Sequence, residues 1–469
     1  MDTNENKADQ RATTTVMIVS AFMATFMSSS LNLAVPGMGS YFDVSAASVS
    51  WVVTAFILAT AALSVPFGKL ADTTGRRRIF LIGILLFFAT SFISALATTF
   101  AVMILLRVVQ GIAAAMLNAT NTAILISAYP PSEKGKAIGR MTAGTYVGLS
   151  SGPVIGGLLN QWLGWQSIFV FSGAVGLFAF VLAARKLPKK EHLTQELSHD
   201  AAGNILYIAM IVMIMYGFTS FGGGVAGPVI LGCGLAAGVG FVLTELRSKN
   251  PIVDVRIFSG NPAYTLSNLA ALLNYGATFA VGYFMSIYLQ TAMGYSSQTA
   301  GLILIAQPLM MALFSPRMGR LSDRIAPYKL ATAGMLICTA CLVFFATVNR
   351  TTPLIAIIAA LLATGFGISV FSSPNMNAIM SCVEKSDYSV ASSILATMRT
   401  LGQTSGMAVI TLVIGMYLGD SALADASPGQ LTHTMRTGFT IFAAICFIGA
   451  MMSLKRRNAP KHMAPRRSK

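Results

Sequence analysis

The chain has 469 residues, of which 55% are hydrophobic and 10% charged, with a formal net charge of +16 and a mean hydropathy of +0.69. Soluble domains carry roughly 25% charged residues. The balance therefore excludes an ordinary water-soluble enzyme and indicates an integral membrane protein. The excess of positive charge raises nucleic acid as a partner, and its distribution along the chain removes it.

In chain order, fourteen apolar segments are long enough to span a bilayer as helices: 14-38, 49-70, 79-97, 101-125, 136-159, 165-185, 202-222, 226-246, 262-290, 298-318, 328-348, 353-381, 388-418 and 434-454. The first is too long for a signal-peptide core and shows no clear cleavage site, so it is expected to stay as a span. A cytosolic N-terminus makes 69-78, 131-140, 185-201, 247-261, 317-329 and 382-387, with both tails, the inner segments. All but Arg107, Arg350, Arg399 and Arg436 of the 32 lysines and arginines then lie inside. That is a strong positive-inside bias, so the charge belongs to topology and to anionic lipid headgroups. The five cysteines, Cys233, Cys338, Cys341, Cys382 and Cys446, lie in apolar runs and read as packing residues. Only Cys338 and Cys341, one turn apart, leave a metal alternative.

Helix 5 is the most distinctive stretch. Gly139, Gly144, Gly148, Gly152, Pro153, Gly156 and Gly157 punctuate an apolar run. In water each glycine would cost a helix about 1 kcal/mol relative to alanine; inside a bilayer the helix survives. Gly148, Gly152 and Gly156 fall four apart on one face, the small-xxx-small pattern of closely approaching backbones. Pro153 removes a backbone bond and is expected to bend the helix.

The two ends of the chain repeat one another. Gly68-Lys-Leu-Ala-Asp72 returns as Gly319-Arg-Leu-Ser-Asp323, and Glu133-Lys134 as Glu384-Lys385, both 251 residues on; Ser151-Gly152 returns as Ser405-Gly406 at 254. The chain divides accordingly into an N-terminal six-helix half (1-190), inserted helices 7 and 8 (191-250), a C-terminal six-helix half (251-458) and a basic cytosolic tail (459-469). Parallel six-helix repeats are one transporter architecture, with the substrate site between the halves.

These motifs resemble those of the major facilitator superfamily, and within it the fourteen-helix drug:proton antiporter branch. The loop Gly68-Lys-Leu-Ala-Asp72-Thr-Thr-Gly75-Arg76-Arg77-Arg78 is similar to the superfamily's loop signature, and Arg107-Val-Val-Gln110-Gly111 to its helix 4 signature. The helix 5 glycines resemble the antiporter motif. Asn32-Leu-Ala-Val-Pro36 and Pro251-Ile-Val-Asp254-Val-Arg256-Ile-Phe258 resemble the branch's helix 1 and its approach to helix 9. The resemblance implies an all-α membrane fold of two six-helix halves plus two inserted helices, and alternating-access export of an amphipathic small molecule in exchange for protons. It also implies that the helix 5 glycine face packs between the halves, opposite helix 10, and that Arg107 takes part in proton coupling.

The inner loops offer gating residues: Gly68, Asp72, Gly75 and Arg76, and their repeats Gly319, Asp323 and Arg324. A charge-paired carboxylate at such a helix end could hold the halves closed; plain topology would also produce basic loops. Arg107 and Arg399 lie within spans, where a charge costs at least roughly 2.5 kcal/mol unless it faces a cavity or a partner. Polar residues able to share a substrate cavity with them are Asn32, Gln110, Asn118, Asn121, Asn274, Gln307, Asn375, Asn377 and Gln403; each could equally be a helix-to-helix hydrogen bond. Flexible methionines such as Met23, Met27, Met310 and Met311 suit either a permissive pocket or the lipid face.

One departure stands out. Proton antiport usually needs a carboxylate buried enough to titrate near neutrality, and the helix 1 stretch Phe26-Met27-Ser28-Ser29-Ser30-Leu31 has none; none of the sixteen Asp and Glu falls mid-helix. Two arginines without an acid suit neutral, anionic or zwitterionic cargo better than lipophilic cations. The expected partners are a small amphipathic substrate, protons and membrane lipids, with the protein a monomer in the cell membrane. A flippase or exporter of an anionic lipid or organic acid is the second transport reading, and a non-transporting membrane sensor the third. No nucleotide-binding loop or catalytic motif occurs, so no cofactor and no enzymatic activity are expected.

Overall fold

The computed structural model describes residues 3-130, 133-187, 201-220, 225-248, 251-252, 255-383, 388-419, 421 and 426-456. The repeated pair Glu384-Lys385, Asp254 and the basic tail 459-469 lie outside the described residues. Fourteen long helices carry the fold, with no strand among the described residues. They are α1 (Thr3–Phe42), α2 (Ala46–Thr74), α3 (Arg76–Ser94), α4 (Phe100–Ser127), α5 (Lys134–Leu163), α6 (Gln166–Lys186), α7 (Ala201–Thr219) and α8 (Ala226–Arg247). After a one-turn helix at Arg256–Gly260 come α9 (Pro262–Ala292), α10 (Ser297–Leu321), α11 (Pro327–Thr347), α12 (Leu354–Met380), α13 (Tyr388–Leu418) and α14 (Pro428–Lys455). Thirteen of them are both long and apolar enough to cross a membrane. The exception is α5, whose glycines dilute its hydropathy although its 30 residues would span.

Local sequence chemistry sets the helix ends. Ser45 Oγ accepts from the Ser48 amide at 3.1 Å, and Asn261 Oδ1 from the Tyr264 amide at 3.1 Å; Ser427 and Gln430 form a reciprocal capping box. Gly75, at φ 105°, turns the chain between α2 and α3 in a conformation that side chains avoid. Ile305 interrupts α10. Pro308, with no N–H to offer the carbonyl four residues back, accounts for the break. In contrast, α5 continues through Pro153.

The helices fall into two units, Met1–His199 with Tyr295–Leu302, and Asp200–Gly294 with Ile303–Lys469. In the first, α1 packs on α5 and α6, α2 on α4, and α3 on α4 and α6. In the second, α9 packs on α13 and α14, α10 on α12, and α11 on α12 and α14. The pairings are the same scheme with every label raised by eight. Helices α7 and α8 form a hairpin whose α7 leans on α13. Most of the α7 and α8 apolar surface is exposed, including Ile205, Val229, Leu235 and Val239. Such a surface is at home only against lipid.

Candidate functional site

The α5 glycines fix how closely α1 and α5 approach. A Cβ on Gly148 would lie 2.5 Å from the Phe22 carbonyl oxygen and 3.1 Å from the Phe22 Cα, and one on Gly156 would lie 2.9 Å from the Ser30 Cα. On the α1 side small hydroxyl residues face them: Thr25 Oγ1 donates to the Thr145 carbonyl at 3.1 Å, and Gly152 sits over Ser29. The face formed by Gly148, Gly152 and Gly156 therefore meets α1 and not helix 10 as expected, while Pro153, Gly157 and Asn160 do meet α10. The face meets α1 because only residues this small let two helices share a backbone-to-backbone contact. Gly157 alone looks the other way, with the Ser297 carbonyl 2.5 Å from where its Cβ would be. Around it, Asn160 Nδ2 donates to Ser297 Oγ at 2.7 Å, and Gly301 lies against the Pro153 carbonyl. Gly139, the first glycine of the motif, touches nothing within 4 Å of a would-be Cβ.

The second unit repeats the device with different chemistry. Gly402 and Gly406 of α13, the counterparts of Gly148 and Gly152, press on Leu272 and Gly276 of α9; a Cβ on Gly276 would lie 2.9 Å from the Gly402 carbonyl oxygen. Here glycine occurs on both helices, whereas the first unit sets glycine against Thr25 and Ser29.

Arg107 is fully enclosed among α2, α3, α4 and α6. Its Nε donates to the Val52 carbonyl at 2.8 Å, its Nη1 to Gln110 Oε1, and its guanidinium lies 4.3 Å from the centre of the Phe56 ring. Gln110 in turn donates from Nε2 to Ser91 Oγ at 2.6 Å. Arg107 is 1% exposed, so this is a closed nest of hydrogen bonds with a cation–π face. Arg399 differs: it is half-buried on α13, its guanidinium 5.6 Å from the centre of the Tyr275 ring.

The remaining polar candidates divide by surroundings. Asn121 accepts from Ser20 Oγ at 3.2 Å across α1 and α4, Asn32 is buried on α1, and Asn118 is exposed on α4. Asn274 is buried on α9, its Nδ2 3.8 Å from Cys446 Sγ and its Oδ1 without a hydrogen-bond partner among the described residues. Gln307, beside the α10 break, and Gln403 are half-buried. Asn375 belongs to a network that motif reading missed: Arg456 Nη1 donates to Asn375 Oδ1 at 2.7 Å and to Ser267 Oγ at 2.8 Å, while Asn375 Nδ2 donates to the Ser267 carbonyl at 3.1 Å. Ser453, bonded to Arg456 Nη2, also receives Thr332 Oγ1 at 2.9 Å, so α9, α11, α12 and α14 are tied at one end. Burial pushes the Arg456 guanidinium down to about 10, which leaves it charged at neutral pH. Arg456 lies in a run of basic residues at the chain end, where composition gives no hint that one of them turns inward.

In the loop motifs, Arg76 donates from Nε and Nη2 to Asp72 Oδ1 at 2.9 and 2.8 Å and forms an ion pair with it. Arg77 caps the end of α6 through the Leu187 and Ala184 carbonyls, at 3.2 and 3.1 Å. In the repeat, Asn377 Nδ2 donates to Asp323 Oδ1 at 3.0 Å and to Ser322 Oγ at 2.6 Å. Because the Asp72–Arg76 pair is 46% and 40% exposed, it contributes at most about 1 kcal/mol to stability. Asp72→Asn is expected to leave thermal unfolding within that margin while cutting transport severalfold; a large fall in unfolding temperature would make the pair a structural one instead.

Among the described residues no group of His, Cys, Asp and Glu could hold a metal ion. The one buried carboxylate among them is Glu245, 1% exposed and two residues from the end of α8. Counting charge along the chain puts Glu245 at the membrane face; its burial is seen only in the folded structure.

A repeated six-helix packing scheme with inserted helices and charges held inside apolar spans defines a polytopic membrane transporter. The chain belongs to the Major Facilitator Superfamily, whose sequence pattern it matches over residues 17–249 and 268–469. It is 30% identical over 442 residues to the riboflavin transporter RibZ of Clostridioides difficile, covering 94% of this chain and 96% of that protein. It is also 30% identical over 407 residues to the multidrug resistance protein Stp of Mycobacterium tuberculosis, covering 83% and 73%. Among solved structures, a bacterial homologue of the human lysosomal transporter Spinster, inward-facing and occupied, superposes with a TM-score of 0.71 at 15% identity over 99% of this chain and 100% of that one. The protein is thus a multi-pass integral membrane protein of the cell membrane.

Proposed function

We propose that this protein exports amphipathic small molecules in exchange for protons, by alternating access between its two six-helix halves, as a monomer with both termini in the cytosol. The supporting observation is the packing scheme that recurs from α1–α6 to α9–α14, each half built around a glycine-tight helix pair. Bodies held together in this way can rock without losing their interiors. Kinship with a riboflavin transporter and a multidrug resistance protein supports small, amphipathic cargo. Asn32, Asn118, Gln307, Arg399 and Gln403 are the proposed cavity residues, with Asp72 and Asp323 at the gating loops.

Proton coupling has two candidate groups. Arg107 is one, by its family signature; Glu245, the buried carboxylate of α8, is the other. The test is reconstitution into liposomes holding a pH-sensitive dye, followed by addition of matched cationic, neutral and acidic aromatic compounds. Solute-dependent pH change with neutral or acidic cargo is expected. A response confined to cations would overturn the cargo reading, and no response to any class would overturn proton exchange.

A further inference from the structure

Between α1 and α5 lies an open groove of about 400 Å³, lined by Ile18, Val19 and Phe22 on one side and Arg140, Ala143, Gly144 and Val147 on the other. Its volume falls within the roughly 300–1,000 Å³ of small-molecule sites. Its walls are almost wholly apolar; Arg140, exposed near the start of α5, is among the lining residues, and no described residue pairs with its guanidinium. Among the described residues no carboxylate lines the groove. Ala143 and Val147 are exposed along it.

The second half carries different residues at the matching positions of its own helix pair. The repeat that sets Gly148 on Gly402 sets Arg140 on Ile394, Ala143 on Thr397, Gly144 on Met398 and Val147 on Leu401. There Ile394 is buried in a cluster with Tyr264, Ile379 and Ala391, and Met398 packs against it. The first half sets Arg140, Ala143, Gly144 and Val147 at these positions, with Gly144 packed against Ile18.

We propose that the cargo also docks in this groove, apart from the cavity residues named above, and that it is an amphipathic organic anion: an apolar body along Ile18, Phe22 and Val147, with its acidic group on Arg140. The proposal rests on the transport reading above and adds the charge of the substrate. A bidentate guanidinium–carboxylate contact supplies orientation, and the apolar walls supply affinity without a fixed shape.

The full-length protein in phosphatidylcholine nanodiscs is titrated with tritiated 6-(2-naphthyl)hexanoate, its primary amide and the corresponding amine. The acid is expected to bind at least tenfold more tightly than the amine. Arg140→Gln should remove that preference by about tenfold without changing the amide, and Arg140→Lys should restore part of it. Ala143→Phe, which fills the groove from an exposed position, should weaken the acid and the amide alike by tenfold or more. Equal or tighter binding of the amine, or unchanged acid affinity in Arg140→Gln, overturns the proposal. Flux of the acid is followed in the same lipid: binding without flux overturns the transport reading and keeps the groove. Flux indifferent to both substitutions overturns the groove and keeps transport.

Discussion

Gly148→Ala is expected to abolish transport and to destabilise the folded protein by about 1–3 kcal/mol, the range for an extra methyl forced into a packed interior. The new Cβ would stand 2.5 Å from the Phe22 carbonyl oxygen and 3.1 Å from its Cα, and backbone atoms cannot swing aside as a side-chain tip can. The helices must separate, and with them goes the Thr25 hydrogen bond to the Thr145 carbonyl. Gly139→Ala is the control from the same motif. Nothing lies within 4 Å of its Cβ position, so the substitution is expected to be neutral or to stabilise by up to about 1 kcal/mol through helix propensity. Thermal unfolding in detergent and flux in proteoliposomes check both. Equal effects at the two positions would show that the motif acts through something other than the α1–α5 contact.

Arg107→Ala is expected to cost about 2–4 kcal/mol. It leaves Gln110 Oε1 without its donor in a site closed to water, at roughly 1–3 kcal/mol for a buried group left unpaired, and removes the second hydrogen bond to the Val52 carbonyl. It also empties the volume against the Phe56 ring. Arg107→Lys keeps the charge and loses the fork, so an intermediate loss is expected. Unfolding is measured beside proton-coupled flux. Full stability with flux uncoupled from protons would show that Arg107 acts on the proton; the predicted loss of stability makes it first a clamp on α2, α3 and α4.

The two arginines show how far composition reaches. Both are visible in the sequence as charges inside apolar spans. The 3.6-residue repeat does not say that one meets Gln110, the Phe56 ring and a backbone carbonyl while the other lies half-buried beside Tyr275. That depends on which helix lies next to which. Asn375 and Arg456 make the same point from opposite ends: one is conspicuous in a span, the other lost in a basic tail, and they prove to be hydrogen-bonded neighbours.

For this protein the sequence alone determined the membrane class, the helix count, the internal repeat and the family, because hydrophobic run length and short repeated loop motifs are properties of the linear chain. Only the tertiary structure decided what the helix 5 glycines press on. A face of small residues states that something comes close without naming the partner, and the contact with α1 was set by the packing of six helices together. The same holds for the groove ending at Arg140. A cavity is the absence of side chains from several helices at one place, and no single segment records it.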